Sequence, residues 1–379
     1  MKTLKILHLA RDEKFIDQAI KAFEHAAPGA SDLYVYSNKP LKLVKSRATI
    51  PSITSVLTGK ISKHFSKYDL IIVHSLDQVW YKAILKLPKS IPVVWIGWGY
   101  DYYDIIYDSR TKTLLPLTSL ELNITSNKAK LFKKIKNTLK KIVFPTNKSK
   151  VVERINFFSP VLPAEYIMVS TQFSGKKFPD YALWNYGNLE EDLVKDFTNA
   201  QANGSSILVG NSASAENNHL DSFFLLSNLG IDSREIISPL SYGDEQYRDL
   251  ILKKGREQFG DRFEPLIDFM PIGDYVKILE SCGFVIMNHI RQQAVGNIVI
   301  MLYLGAKIFL REECPTYNFF RDQGAVIFSI QELEKNPALI HEQLDNASMM
   351  INRHIVKNNW SKEVSDKKTR LLLKQVCNA

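Results

Sequence analysis

Short apolar runs alternate with amphipathic ones along most of this chain. Leu4–Leu9 predicts a first strand, and Lys14–His25 a helix whose inner face carries Ile16, Ile20 and Phe23. Asp32–Tyr36 reads as a second strand. Tyr68–His74 is a buried parallel strand by its unbroken apolar run, with polar residues at its carboxyl end. Gln78–Leu87 reads as a helix and Ile91–Ile96 as the next strand. After a polar stretch, 190–205, that ends in Asn203-Gly204-Ser205, the alternation starts again. Ser206–Val209, Glu235–Pro239, Glu264–Phe269, Gly283–Asn288 and Lys307–Leu310 read as strands. Leu220–Leu229, Glu245–Phe259, Ile272–Glu280 and Gly296–Leu304 read as the helices between them. Strand and helix in turn, twice over, predict two doubly wound α/β domains facing each other across a cleft. The expected division is 1–198, 199–345 and a helical segment, 346–379, crossing back to the first domain.

Length and composition narrow this picture. At 379 residues, 45% hydrophobic and 23% charged, the chain suits two soluble globular domains and excludes bulk disorder. No run reaches the roughly 18–20 apolar residues of a membrane span. The first apolar run is cut by Arg11, Asp12 and Glu13, too early for a secretory leader. Cys282, Cys314 and Cys377 form neither a C-x-x-C motif nor a disulfide framework. A cytoplasmic location is expected.

The net charge of +9 changes the picture further, because it is unevenly spread. Residues 128–150 hold nine lysines and no acid, and Leu131, Ile135, Leu139 and Ile142 recur at helical spacing. Such a helix, with Lys133, Lys134, Lys140 and Lys141 on its polar side, suits an anionic membrane surface. A solvated helix packed on its own domain is the plainer alternative. Nucleic acid has no supporting motif.

Three clusters can carry chemistry. Gly210, Asn211 and Ser212 follow a strand, where backbone N–H groups and a helix start suit a phosphate; a simple helix cap reads the same way. Asn288–Asn297 lies at another strand end, where open α/β sheets bind ligands. There Arg291 can fork onto phosphate, and Gln292 and Gln293 can bridge hydroxyls. The alternative is a capped helix with a surface arginine. The third cluster, Trp95–Asp104, combines aromatic faces that stack on sugars with carboxylates that can take a hydroxyl proton; packing as a lid is equally open. His74 ends the strand before it. D-x-D, P-loop, G-x-G-x-x-G, H-E-x-x-H and G-x-S-x-G signatures are all absent, so no metal and no cofactor is expected.

WGYDYY at 98–103, ILVGNSASAENNH at 207–219, PLSYGDEQY at 239–247, IRQQAVGN at 290–297 and LGAKIFLREECPTYNFF at 304–320 resemble one family in this order. It is the TDP-4-acetamido-4,6-dideoxygalactose:lipid II transferases of enterobacterial common antigen synthesis. The resemblance implies a GT-B glycosyltransferase at the inner face of the cytoplasmic membrane. Its partners would be a nucleotide-sugar donor and a lipid-linked glycan acceptor, with no nucleic acid. Gly210, Asn211 and Ser212 would then meet the donor phosphates, and Tyr242 and Gly243 part of the nucleotide. Arg291, Gln292, Gln293, Gly296 and Asn297 would hold diphosphate and sugar. Trp98, Gly99, Asp101 and Tyr103 would face the acceptor.

Without D-x-D, the leaving diphosphate needs Arg291, helix N-termini and backbone amides to neutralise it. Asp101 is the first candidate for the base that deprotonates the acceptor hydroxyl, and His74 the second. Gln292 and Gln293 stand where many retaining GT-B enzymes have a glutamate, which favours inversion. Two other readings remain open at this point: a two-lobed sugar-binding protein, and a sugar-nucleotide epimerase of the same build.

Overall fold

A computed structural model describes residues 4–107, 110–125, 147–195, 197–231 and 233–378. The four lysines expected at a membrane surface, Lys133, Lys134, Lys140 and Lys141, lie outside the described residues. Two units divide the chain. The first is Met1–Asp108, Lys128–Asn188 and Lys362–Ala379, and the second is Ser109–Asn127 and Leu189–Ser361. The main boundary therefore falls ten residues before the expected one. The segment from 346 divides as well: the helix Asn346–Trp360 stays with the second unit, and only Lys362–Cys377 joins the first.

The first unit is built on a parallel six-stranded sheet: β1 (Ile6–Arg11), β2 (Ser31–Tyr36), β3 (Leu70–His74), β4 (Val93–Ile96), β5 (Phe157–Ser159) and β6 (Asp180–Tyr181), in the order β2-β1-β3-β4-β5-β6. β3 is buried at every position, because helices cover both faces of the sheet. Val73 pairs with Trp95, and Trp95 stacks on Phe158 with ring centroids 4.1 Å apart. On the other face Phe23, from the helix Ile16–Ala26, meets Trp184 and the C-terminal Leu372, Leu373 and Val376. Burying a side chain of that size stabilises by roughly 1.5–3 kcal/mol. The Trp184 indole donates to Thr369 Oγ1 at 3.0 Å, a polar clasp inside this contact.

The second unit repeats the plan with β7 (Ile207–Val209), β8 (Ile236–Pro239), β9 (Phe263–Leu266), β10 (Phe284–Met287), β11 (Lys307–Leu310) and β12 (Phe328–Ser329). These run parallel in the order β12-β11-β10-β7-β8-β9. The helices expected at 245–259 and 272–280 are found at those bounds. Strand order reverses between β1 and β3 in one sheet and between β7 and β10 in the other. Open α/β sheets leave a crevice for ligands at the carboxyl ends of such neighbours.

Candidate functional site

In the second unit the crevice is formed by the loops after β7 and β10. Gly210 has φ of 68°, and a Cβ there would stand 2.6 Å from His219 Nε2 and 2.9 Å from Asn217 Oδ1. Only glycine fits that backbone. Asn217, fully buried, holds the loop: its Oδ1 accepts from Asn211 N at 2.9 Å and from His289 Nε2 at 2.8 Å, while its Nδ2 donates to the Ser212 carbonyl. Asn218 does the same between loops, donating to the Asn288 carbonyl and accepting from Leu115 N. The sequence placed both in a helpful cluster without showing that they are struts.

The side chains expected around a donor do converge here. Gln293 Nε2 donates to Asn211 Oδ1 at 3.1 Å, and Asn211 Nδ2 donates to Tyr242 Oη at 2.9 Å. Gly243 bridges to Ala213, which joins the loops after β7 and β8. Asn297 Nδ2 donates to Tyr275 Oη, and burial raises that phenol above its ordinary value. Ser212 and Gln292 are buried in the same wall. Gln293 Oε1 and His289 Nδ1, both buried, have no hydrogen-bond partner among the described residues. An unsatisfied buried acceptor costs on the order of 1–3 kcal/mol, so a ligand that donates to it would recover that energy.

Arg291 is not the surface arginine of the alternative reading, and its guanidinium is already engaged. It is 8% exposed, bonded to Glu216 Oε2 at 3.1 Å and to the Gln292 carbonyl at 2.8 Å. Ala294 takes φ of 60°, an unfavourable backbone for a residue with a Cβ, and starts the helix Val295–Leu304. At Gly296, in its first turn, a Cβ would meet nothing within 4 Å. Arg311, which sequence reasoning missed, donates to Asn288 Oδ1 at 3.3 Å and pairs with Glu313.

In the first unit, Asp101 is buried after β4. Its carboxylate accepts from Leu76 N, Trp98 N and Trp95 Nε1, each at 2.7 Å. Burial raises this carboxyl, while those N–H donors and the Lys148 charge pull it down. His74 is also internal. Trp98 Nε1 donates to Tyr186 Oη at 2.6 Å, so the Tyr186 hydroxyl donates to His74 Nδ1 at 2.7 Å. His74 Nε2–H then faces His8 Nδ1 at 3.0 Å. Burial pushes His74 down to about 3 and His8 well below its ordinary value, so both are neutral at pH 7. Gly99 caps the following turn through its carbonyl, which accepts from Tyr102 N and Tyr103 N. Tyr103, expected to face an acceptor, is 5% exposed and stacks on Tyr102 and Tyr107 inside the unit. Trp98 is half-buried, against Phe15 and Tyr186.

One carboxylate here escaped sequence reasoning. Glu13 follows β1 at the reversal of strand order. Its side chain makes no hydrogen bond or ion pair among the described residues, and burial raises it against the Lys14 and Arg11 charges. No group of three or more His, Cys, Asp or Glu able to hold a metal occurs among the described residues.

Comparison with known proteins gives consistent results. Residues 166–363 match the family model described as 4-alpha-L-fucosyltransferase glycosyl transferase group 56. Among solved structures, Anabaena HepE in complex with UDP-glucose has a TM-score of 0.65 at 11% identity, over 98% of this chain and 100% of that one. The lipopolysaccharide outer core galactosyltransferase WaaB, apo form, gives 0.61 at 11% identity over 98% and 99%. Sucrose-phosphate synthase from Thermosynechococcus elongatus gives 0.63 at 10% identity over 98% and 99%. These likenesses establish the fold as GT-B.

Proposed function

Because the chain belongs to the glycosyltransferase group 56 family, we propose that it moves a 6-deoxy amino sugar from a nucleoside diphosphate to a lipid-linked glycan. It is a GT-B glycosyltransferase using a nucleotide sugar. The family description names a fucosyltransferase, and fucose is a 6-deoxygalactose. The sugar implied by the sequence resemblance, 4-acetamido-4,6-dideoxygalactose, has the same skeleton, which supports it as donor, carried by TDP.

The observation that carries this reading is the crevice between β7 and β10. There the Gly210–Ser212 loop, the unpartnered Gln293 Oε1 and the open first turn at Gly296 face one another's strand ends. The pyrophosphate would lie against the N-terminus of Val295–Leu304, where backbone N–H groups and the helix dipole favour negative charge. Arg291, held by Glu216, adds a fixed cation. Asn211, Gln292, Gln293 and Asn297 would orient the sugar, and Tyr242 and Gly243 would border the nucleotide. In this reading the helix N-terminus and Arg291 neutralise the leaving diphosphate without a metal, so donor binding should survive EDTA. Isothermal titration of TDP and UDP with and without EDTA tests this; loss of most affinity on chelation would sink the metal-free site.

In the first unit, we read Asp101 as the anchor of the Trp98 loop, since three N–H donors already engage its carboxylate. His74 positions Tyr186 and, through it, Trp98. The acceptor hydroxyl has a pKa far above 7 and needs a base. We assign that role to Glu13, whose raised carboxyl stands at the reversal of strand order and makes no hydrogen bond or ion pair among the described residues. The lipid-linked acceptor would be met at the membrane surface, and no helix among the described residues is long and apolar enough to cross a membrane.

A further inference from the structure

Beside the Trp98 loop, in the cluster that holds Val44 and Leu33, the first unit carries an acid-free segment. From Leu33 to Tyr68 the chain has no Asp or Glu, yet seven Lys or Arg. The loop at its centre runs along the free edge of the sheet, outside β2. Thr49 accepts from Val35 N at 3.0 Å and donates to the Leu33 carbonyl at 2.8 Å, so the loop is pinned along that edge. Val44 is buried beneath it with Leu33 and Val35.

The nearest carboxylates are already engaged by backbone. Asp12 accepts from Lys42 N, Leu43 N and Val44 N at 2.7–3.0 Å; against burial, these bonds and the Lys45 charge hold its carboxyl below the ordinary value. Asp17 accepts from Lys45 N and Ser46 N, each at 2.8 Å. The side chains of Lys39, Lys42, Lys45 and Arg47 are exposed, and none forms an ion pair among the described residues. Leu43 stands among them and Ile50 and Ile53 follow Arg47, apolar residues that the fold does not cover: they are 37%, 50% and 48% exposed. Exposed cations outside any ion pair among the described residues, with aliphatic side chains beside them in the chain, on a loop fixed by five hydrogen bonds from its amides, match the headgroup layer of an anionic bilayer. There each Lys or Arg contributes about 1 kcal/mol and aliphatic groups enter the acyl boundary. No Phe, Tyr or Trp lies between Ser37 and His64, so the aromatic platforms that single-stranded nucleic acids stack on are missing.

We propose that the loop 39–53 is a docking surface for an anionic lipid bilayer. It supplies a partner for the lipid-linked acceptor of the proposed function, and in that sense rests on that reading. The experiment reads the two apart.

Vesicles of phosphatidylcholine, alone or with about 30% phosphatidylglycerol, are sedimented with the protein at about 0.1 M and 0.5 M salt. One variant is Lys39→Glu/Lys42→Glu/Lys45→Glu/Arg47→Glu, and a second is Ile50→Ser/Ile53→Ser. The comparator is Lys133→Glu/Lys134→Glu/Lys140→Glu/Lys141→Glu, which lowers the net charge from +9 to +1 as the first does, each change subtracting two. The parent should bind anionic vesicles and leave them at high salt. The first two variants should lose about tenfold or more of that binding, and the comparator should keep most of it. All three should keep the parent's melting temperature and nucleotide affinity. Parental binding by the four-fold loop variant, or equal loss by the comparator, overturns the proposal. So does displacement of the parent by a single-stranded oligonucleotide that the isoleucine variant binds unchanged. Vesicle binding without any nucleotide binding would sink the transfer reading and leave this surface standing; the reverse result would do the opposite.

Discussion

Asp101 Oδ2 accepts the indole N–H of Trp95 at 2.7 Å, joining the last turn of the aromatic loop to the strand that precedes it. The same carboxylate takes the amides of Leu76 and Trp98, so one buried charge ties the loop after β4 to the loop after β3. Asp101→Asn would turn an amide N–H toward these donors. It should cost about 1.5–3 kcal/mol of stability, the range for hydrogen bonds to charged groups, and lower the melting temperature. Nucleotide affinity, which we assign to the second unit, should be unchanged. A variant with the parent's melting temperature but turnover lowered by about 10²–10⁴-fold would return the base role to Asp101.

Glu13 is the converse case. Glu13→Gln should leave the melting temperature and nucleotide affinity near parental and reduce turnover by about 10²–10⁴-fold. The acidic limb of the parent's rate profile should vanish in the variant. Parental turnover by Glu13→Gln excludes it as the base.

Arg291 and Glu216 form a nearly buried pair, so removing one charge leaves the other stranded. Arg291→Ala should weaken binding of a nucleoside diphosphate by about 1.5–3 kcal/mol and lower the melting temperature. Arg291→Ala/Glu216→Gln should recover the melting temperature but not the affinity. Recovery of both would reduce Arg291 to a partner for Glu216.

Two glycines should respond in opposite ways. Gly210→Ala places a Cβ against His219 and Asn217 at a positive φ, and should destabilise the second unit and abolish nucleotide binding together. Gly296→Ala has space within the protein and a helical backbone, where alanine is favoured by up to about 1 kcal/mol. Its melting temperature should hold or rise while nucleotide affinity falls, because the methyl enters the space read as the pyrophosphate's. Unchanged affinity in Gly296→Ala would move the phosphates elsewhere.

Four buried histidines should make the protein acid-sensitive. His74, His219 and His289 are pushed down to about 3, and His8 well below its ordinary value, all chiefly by burial. In the unfolded chain each binds a proton near pH 6.5, and in the folded protein none does. Stability is therefore fully present above that pH and falls as pH drops below it. For a folded value of about 3 the loss is about 2 kcal/mol per histidine at pH 5. Melting scans between pH 8 and pH 5 should show it, and His8→Gln should shallow the slope. A flat profile contradicts neutral burial of these residues.

Much of this was legible in the sequence because apolar runs and their polar ends repeat with the period of a parallel sheet. Leu70–His74, Glu245–Phe259 and Lys307–Leu310 illustrate it, and so do the loops after β7 and β10. Phe157–Ser159, Asp180–Tyr181 and Phe328–Ser329 are two or three residues long, too short for a period, and went unread; β7, equally short, was legible because the loop signal Asn203-Gly204-Ser205 precedes it and Gly210 follows it. Side-chain direction was also beyond a one-dimensional pattern. Asp101 and Tyr103 look like cleft residues in an aromatic, glycine-containing loop. Only the positions of Leu76, Trp98 and Trp95 turn Asp101 inward. Glu13 looked like an interruption of a strand, and nothing local marks the reversal of strand order that it occupies.

Sugar transfer from a nucleoside diphosphate at the second unit's crevice is tested by release of TDP or UDP from labelled TDP- and UDP-sugars, in EDTA, with and without a polyprenyl-diphosphate-linked glycan. Release should depend on the acceptor, label should move into the lipid phase, and both should be lost in Gly210→Ala. Tight nucleotide-sugar binding without acceptor-dependent release, or conversion of the sugar in the absence of any acceptor, would contradict it in favour of a binding protein or an epimerase.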